Sequence, residues 1–572
     1  MSLQAAHALM TAPGTAFEMQ ERVVHGVLMR VWKNAPATLR EVFIAGRTHG
    51  DKTFLVHEDE RVSFEAFARA TLALAAALQA DGVHKGDRVV VAMRNLPEWP
   101  VAFFATLLLG AIAVPLNAWW TTPELEYALL DSGARAAVVD AERLQRLLDV
   151  LPRCDALQRI YVSRIAALPA DARVRRLEAV LGEVADWPAL ADRPLPTVAL
   201  DADDDATIFY TSGTTGRSKG ALGTHRNSVT CVVASGFSTQ RALVRSGLPV
   251  PRPEDRKTQR ASIVGIPFFH VTGCHALLCP ALYHGSKIVT MHRWDTERAM
   301  ALIERERCTQ AGGVPTLAWQ IIEHPARAKY DLSSLETVSY GGAPAAAELV
   351  RRVRQALPAS TPGTGWGMTE TSATFTHHAG NDYLQHPESC GPALPVCEMK
   401  IVDDTGRELP RGAIGELWAK GPNVVRAYWR KPEASAETFV DGWVRSGDLG
   451  RMDDEGFLTI VDRKKDMLIR GGENIYCAEV EDALYAHPAV MDAGVIGRPH
   501  RTLGEEPVAA VTLKPGMQAS EDELRAFVRA RLAAFKVPVH IVMQRETLPR
   551  NANGKIMKKQ LRPLFGLQSQ PE

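Results

Sequence analysis

An α/β fold for most of the chain, followed by a small all-β element and a compact α+β unit, is what three features of the sequence predict. Up to about residue 340, apolar strands alternate with helix-length runs, the pattern of a mostly parallel sheet covered on both faces. From about Gly391 the texture changes to short strands separated by Gly and Asp turns, as in MKIVDDTGRELP and GELWAKGP, which reads as a small β-barrel or sandwich. After Asp462 it changes again, to helix, strand, strand and capped helix in a stretch of about a hundred residues.

The elements follow in order. Ser63 is placed to cap a helix over 64–78, 88–93 is a valine-rich strand, 98–109 a helix and 111–116 a strand. Residues 101–116 carry no charge, but the run is 16 residues long and holds Gly110 and Pro115, short of the roughly 20 that span a bilayer. A buried helix leading into a buried strand accounts for it. Pro123 opens a further helix that Gly133 stops, before a strand over 136–139. Strands at 207–211 and 287–291, a helix over 295–306 and a strand over 336–340 continue the alternation. Residues 235–260 turn polar and proline-containing, with five Arg and one Lys, and read as a long, mobile surface loop. In the last unit 478–487 is helical, 490–496 and 508–513 are strands, and Ser520 with Glu523 makes a capping box before a helix ending near Leu532. The polar run 462–466 reads as the joint.

Composition narrows the function. Among 572 residues, 66 Lys and Arg balance 66 Asp and Glu, so no bulk attraction to nucleic acid is expected. With 46% hydrophobic and 23% charged residues the chain is an ordinary globular protein, long enough for two to four domains. The eight cysteines show no CxxC pair and no disulfide-like spacing, and the first 24 residues lack the basic start and apolar core of a signal peptide. A reducing, cytoplasmic setting without a transmembrane segment is the expectation; peripheral membrane contact and a homodimer stay open.

The segment that carries most chemistry is Tyr210-Thr-Ser-Gly-Thr-Thr-Gly-Arg-Ser-Lys-Gly220, directly after a predicted strand. Its glycines permit a tight turn with inward N–H groups, hydroxyls add donors, and Arg217 and Lys219 add charge, a set suited to polyphosphate. Counted from Gly213, the sixth position is Ser218 and Lys219 is followed by Gly220, so it is not a Walker A loop. The alternative is a flexible surface turn.

This segment resembles the phosphate loop of the adenylate-forming superfamily: acyl-CoA synthetases, peptide-synthetase adenylation domains and beetle luciferases. Further resemblances follow in the family's order. Gly341-Gly342-Ala343-Pro344 is similar to the adenine-binding strand end, and Trp366-Gly367-Met368-Thr369-Glu370, preceded by Gly365, to the aromatic-Gly-Met-Thr-Glu motif. Ser446-Gly447-Asp448-Leu449 resembles the ribose-holding segment, and Asp462-Arg463-Lys464-Lys465-Asp466 through Gly471-Gly472-Glu473 the hinge and the start of the small domain. Pro549 to Lys555 resembles the catalytic-lysine motif. The resemblance covers about residues 20–560.

The resemblance implies a large N-terminal domain of two doubly wound β-sheets with helices, residues 1–462, including a β-barrel subdomain at about 385–460. It implies also a small mobile α+β C-terminal domain, 463–572, that turns about Lys465. Thr211, Ser212, Gly213, Thr214, Thr215, Gly216 and Lys219 are then expected on the phosphates, and Gly342, Ala343, Pro344, Gly365, Trp366, Gly367, Met368 and Thr369 around adenine. Asp448 and Arg463 are expected on the ribose, Thr215 and Glu370 on Mg²⁺, and Lys555 on the reacting oxygens. The family has Tyr where this chain has Trp366, so stacking is expected to survive and a hydroxyl bond to be lost. Glu370 is a hard oxygen donor of the kind Mg²⁺ takes; without the motif it would read as a solvated carboxylate, and Lys555 as a solvated lysine.

His270, Gly273, Val314, Tyr340 and Gly341 are expected on the acyl side, with His270 gating or orienting the carboxylate; Tyr340 reads equally as pocket lining or as core wall. Arg470, Gly471 and Gly472 are expected at the pantetheine channel. The implied reaction uses ATP, Mg²⁺ and CoA to convert a fatty or aryl-alkanoic acid, a fatty chain being favoured, to acyl-AMP and then to a thioester. A carrier protein or an intramolecular acceptor in place of CoA, a luciferase-like oxygenase and a non-catalytic nucleotide binder are the alternatives. No carrier domain is expected in the 17 residues after Lys555.

Overall fold

The computed structural model describes residues 1–211, 217–251, 255–342, 347–514, 516–551 and 554–567, with backbone alone at 347 and 348. Two eight-stranded sheets carry most of it. In the first, parallel strands Asp205–Tyr210, Ile112–Pro115, Arg88–Ala92, Ala136–Asp140, Arg159–Ser163 and Val174–Arg176 lie side by side, and Gly220–Thr224 and Ala427–Tyr428 extend one edge antiparallel. In the second, Thr361–Thr364, Thr337–Tyr340, Gln310–Gly313, Ala261–Val264, Lys287–Thr290 and Thr53–His57 are parallel, with antiparallel strands at both edges.

One core cluster joins the two sheets. It takes Val89, Val91 and Ala113 from the first sheet and Phe54, Leu55 and Ile288 from the second, around the helices Phe64–Ala80 and Glu98–Leu108. Every residue of Glu98–Leu108 is buried, and its Trp99 stacks on Phe103 at 5.2 Å. The uncharged run at 101–116 is therefore a central helix and strand, and among the described residues no helix is long and apolar enough to cross a membrane. The local signals behave as their chemistry requires. Ser63 Oγ accepts from Ala66 N–H at 3.1 Å, Gly133 ends its helix at φ 60°, and Ser520 and Glu523 cap each other. All eight cysteines are free.

Two expectations need correction. The strands from Glu398 to Arg463 form a five-stranded antiparallel sheet whose order, Glu398–Val402, Gly415–Lys420, Trp443–Met452, Phe439–Val440 with Leu458–Arg463 beside Trp443–Met452, does not close into a barrel. The stretch 235–260 is not a loop throughout, because the helix His225–Arg245 takes up its first part. Thr224 and Asn227 cap that helix, Phe237 packs against Phe17 and Trp32, and Arg241 is fully buried. Two of the five arginines in that stretch are internal partners: Arg241 donates to the His377 carbonyl, and Arg245 pairs with Asp382 at 2.8 Å.

The last sheet holds Glu473–Ile475, Leu468–Arg470, Gly504–Leu513 and Val490–His500, with His540–Gln544 parallel to Gly504–Leu513. The helices Cys477–Tyr485 and Glu521–Arg529 contribute to its core.

Arg245 and Asp382 have side chains only 8% and 5% exposed, so removing the acid leaves a buried guanidinium with only the more exposed Glu455, at 3.2 Å, as its ion-pair partner. Asp382→Ala is expected to destabilise the large domain by about 3 kcal/mol, read as a drop of several degrees in its thermal midpoint; an unchanged midpoint would contradict this.

Candidate active site

The phosphate loop is closed at its base like a hairpin. Thr211 N–H donates to the Lys219 carbonyl at 2.8 Å, and Thr211 Oγ1 accepts from Lys219 N–H at 3.2 Å. Tyr127 supports the exit strand from behind, its Oη donating to the Ser218 carbonyl at 3.1 Å and its ring lying 5.3 Å from the Arg217 guanidinium. Ser212, Gly213, Thr214, Thr215 and Gly216 lie outside the described residues, as do Ala343 and Pro344.

Lys219 and Glu370 are linked through a residue that sequence patterning did not single out. Tyr428 stands opposite Ala221 in the edge strand; its ring is 4.9 Å from Lys219 Nζ, and its Oη donates to Glu370 Oε1 at 2.5 Å. Glu370 lies in the turn Thr369–Thr371, where its carbonyl accepts from Val425 N–H at 2.9 Å. Burial pushes its carboxyl above the ordinary range, while the Tyr428 hydroxyl, Arg463 and Lys219 act in the opposite direction. Only the antiparallel pairing of Ala427–Tyr428 with Gly220–Thr224 brings Tyr428 here, and no local spacing encodes that pairing.

The loop from Gly365 to Phe375 folds tightly back on itself. A Cβ at Gly367 would lie 1.5 Å from the Ala373 carbonyl oxygen, so only glycine fits. Ser372 and Ala373 adopt φ 53° and 96°, and the returning Phe375 N–H bonds to the Trp366 carbonyl at 3.0 Å. Met368 N–H donates to Thr371 Oγ1 at 3.0 Å. Trp366 has no hydroxyl to offer, but its indole N–H makes a polar bond of its own, donating to Asp448 Oδ2 at 2.8 Å. Asp448 Oδ1 in turn lies 3.2 Å from Arg463 Nε, its partner across the strand pair. Gly341 N–H donates to the Gly313 carbonyl at 3.1 Å, and Gly342 turns at φ 76° just beyond the strand Thr337–Tyr340.

The C-terminal unit reaches the same place. Asn551 brackets Lys555 with two bonds, its Oδ1 accepting from Lys555 N–H at 3.0 Å and its N–H donating to the Lys555 carbonyl at 2.9 Å. Gly554, at φ 69°, lies so close to Val314 that a Cβ would come within 2.6 Å of Cγ2. Burial and the neighbouring Arg463 push the Lys555 ammonium down to about 8, with Asp466 and Asp448 opposing. Lys465, between the strands Leu458–Arg463 and Leu468–Arg470, is likewise down to about 8, through burial and Arg463.

On the acyl side, Asn95 crosses from the first sheet to grip the loop before His270: its Oδ1 accepts from Phe268 N–H at 2.8 Å and its Nδ2 donates to the Ile266 carbonyl at 2.9 Å. His270 then leads into the π-helical run Thr272–Leu278, which contains Gly273. Burial pushes the His270 imidazole down to about 3, so it is neutral, and its Nε2 has no partner among the described residues. Neutral His270 can orient a carboxylate by hydrogen bonding but does not offer a cation. Tyr340 is a wall residue: 4% exposed, it packs in the second sheet's core with its hydroxyl 3.0 Å from that of Tyr383. The hairpin at Arg470, Gly471 and Gly472 is held within the C-terminal sheet: Gly471 N–H bonds to the Leu503 carbonyl at 2.7 Å, and Arg470 pairs with Gly504.

Residues 42–429 match the family model of the AMP-binding enzyme, and 479–555 match that of the AMP-binding enzyme C-terminal domain. The chain belongs to the AMP-binding enzymes. Within this adenylate-forming superfamily it is of the acyl-CoA synthetase type. It is 35% identical over 514 residues to a feruloyl-CoA synthase of Amycolatopsis sp, covering 90% of this chain and 96% of the relative. A methyl-dioxo-octahydroindenyl-propanoyl:CoA ligase of Mycobacterium tuberculosis is 36% identical over 523 residues, at 90% and 96% coverage. The o-succinylbenzoate CoA synthetase of Bacillus subtilis, solved with its acyl-adenylate intermediate, superposes with a TM-score of 0.74 at 28% identity, covering 92% of this chain and 98% of that one.

The donor set of this AMP-binding enzyme is compatible with Mg²⁺. Among the described residues no group of three or more His, Cys, Asp or Glu could cage a metal, and the one motif carboxylate, Glu370, has Oε1 taken by Tyr428. A single carboxylate with phosphates and waters completing the shell is how Mg²⁺ is commonly held.

The lowered Lys555 value sets a pH dependence. Its charged form is the electrostatically useful one, so kcat/KM for ATP in acyl-AMP formation is expected to fall as pH rises through about 8. Lys555→Arg should flatten that limb; a profile with the same fall in the Arg variant would assign it to another group.

Proposed function

We propose that this acyl-CoA synthetase activates an apolar carboxylic acid with ATP as acyl-AMP, releasing pyrophosphate, and passes the acyl group to the thiol of CoA. What supports this reading is that Lys219, Glu370, Trp366, Asp448, Arg463 and Lys555, drawn from positions 219 to 555, are linked by hydrogen bonds, an ion pair and mutual electrostatic influence.

A carboxylate is a poor acyl donor because its leaving group would be oxide; attack on the α-phosphorus converts that oxygen into part of a phosphate ester. Lys219 and the loop amides stabilise the departing pyrophosphate, and Lys555 bridges the attacking oxygen and the α-phosphate, where charge accumulates. Mg²⁺ held by Glu370, with Thr215 as the proposed second protein oxygen, would supply charge neutralisation on the phosphates. Asp448 accepts from the ribose hydroxyls and Trp366 presents a ring to adenine. Neutral His270 orients the carboxylate beside Val314. In the second step the thiolate of CoA adds to the acyl carbonyl and AMP leaves.

We propose further that the small unit, 463–572, turns about Lys465 between the steps, withdrawing Lys555 and bringing Arg470, Gly471 and Gly472 to the pantetheine channel. The apolar residues Phe268, Phe269 and Val314 favour an acid without an amine. The named acyl groups of the two relatives, one aryl and one fused-ring propanoyl, favour a ring-bearing chain over the fatty chain that the sequence alone suggested.

Pyrophosphate release over a panel of aryl-alkanoic, ring-bearing propanoic and fatty acids, with and without CoA, tests the reading. Turnover with CoA and at most a single-turnover burst without it is expected; multiple turnovers without CoA would assign a different acceptor. Lys555→Ala is expected to lower acyl-AMP formation by about 100-fold or more while sparing thioester formation from supplied acyl-AMP, and equal loss of both half-reactions would refute its role. Lys465→Pro, which restricts the joint, should spare acyl-AMP formation and impair thioester formation; unchanged overall turnover would count against the rotation.

A further inference from the structure

The adenine and ribose motifs are joined by one hydrogen bond between residues 82 positions apart, the indole N–H of Trp366 to Asp448 Oδ2 at 2.8 Å. We propose that Trp366 is a positioning residue for Asp448, and that through it this enzyme selects ribose over 2′-deoxyribose in its nucleotide. The proposal rests on the reading of Asp448 as the ribose acceptor.

An ionised carboxylate has about four lone-pair sites and no donor. At Asp448 both oxygens are held: Oδ2 by Trp366, and Oδ1 by Arg463 Nε at 3.2 Å. The backbone is fixed as well, since Asp448 N–H donates to Ser446 Oγ at 3.0 Å and Ser446 Oγ donates to the Leu417 carbonyl at 2.6 Å. The residue is 6% exposed, so water does little of the holding. A carboxylate fixed at both oxygens cannot swing about its last torsion, and an oxygen with one partner has the capacity to accept a second hydrogen bond. Two acceptors a carboxylate's width apart match two vicinal hydroxyls. A nucleotide lacking one of them leaves a buried acceptor without a donor, which is the arrangement that discriminates most strongly against a missing hydroxyl.

Trp366 is suited to this role because its own place is fixed independently. Its backbone N–H donates to Thr376 Oγ1 at 2.9 Å, its ring meets Phe375 edge-on at 5.7 Å, and the neighbouring Gly367 permits the tight return of the chain. Phenylalanine at 366 would keep an aromatic face and lose the N–H together with one ring of the indole. Asp448 would then be free to turn toward a single hydroxyl, and the penalty for a 2′-deoxy nucleotide would shrink.

The experiment compares kcat/KM for ATP and for 2′-deoxy-ATP in pyrophosphate release, in the full-length wild type, Trp366→Phe, Asp448→Asn and the double variant. The wild type is expected to prefer ATP by about 100-fold or more. Trp366→Phe should reduce that preference about tenfold, mainly through a loss with ATP, with the carboxylate KM unchanged. Asp448→Asn should abolish the preference, and Trp366→Phe should have no further effect on it in that background. The rise in thermal midpoint on adding each nucleotide without carboxylate reads the same preference from folded protein alone, so partial misfolding of the Phe variant does not confuse the result. A preference lost in Asp448→Asn but intact in Trp366→Phe, with both nucleotides weakened equally, overturns the role of Trp366 alone. A preference intact in Asp448→Asn overturns the ribose reading of Asp448 and the proposal with it.

Discussion

Cations gathered in one place repel one another, and that repulsion is the constraint on which the rest of this structure depends. Arg463, Lys465 and Lys555 stand in one another's fields, and the repulsion adds to burial in pushing both lysines down to about 8. Partial desolvation strengthens these interactions well beyond their value in water. The structure answers with interleaved acids: Asp448 beside Arg463, Asp466 within reach of both lysines, and Glu370 in the field of Lys219. The exact balance of 66 basic and 66 acidic residues is thus an average over a surface that is locally very uneven.

Holding such a cluster needs a scaffold that does not yield, and the parallel sheets provide it. The strands Asp205–Tyr210, Thr337–Tyr340 and Thr361–Thr364 run in parallel sets and release their chain, at their carboxyl ends, into the phosphate loop, the Gly341-Gly342 turn and the Gly365–Glu370 loop. Ligands in open α/β sheets collect at such ends. The fully buried helix Glu98–Leu108 sits in the core cluster shared by both sheets, so their strand ends are referred to one rigid body. The antiparallel sheet then adds Asp448 and Arg463 as a cross-strand pair, which places their spacing under the control of backbone register.

What was legible in the sequence was local. Caps at Ser63, Gly133 and Ser520 mark helix ends because their bonds stay within a turn or two. Contacts made across the fold were not legible. Tyr428 reaches Glu370 and Lys219 only through edge-strand pairing, and Trp366 reaches Asp448 across 82 residues. The helix His225–Arg245 is only partly legible because Arg241 and Arg245 look solvated until their partners in the 377–382 segment are known. Tyr340 shows the same limit: its place in the wall depends on a hydroxyl partner, Tyr383, from a different element.

The placement of Val314 ties the proposed acyl side to the loop that carries Lys555. Val314 caps the helix Pro315–Glu323, follows the strand Gln310–Gly313 that neighbours Tyr340 and Gly341, and receives Gly554 in van der Waals contact. Lys514 of the small unit lies 5.7 Å from the ring of Trp319 in the same helix. One short element therefore meets the small unit at two points while its first residue stands beside the acyl-side turn. Dense packing at this contact ties the position of Gly554 to that of Val314. Glycine at 554 leaves the loop no slack of its own, since any side chain there would already overlap Val314. Val314 and Trp319 are thus the points at which the helix Pro315–Glu323 and its N-terminal residue meet the small unit.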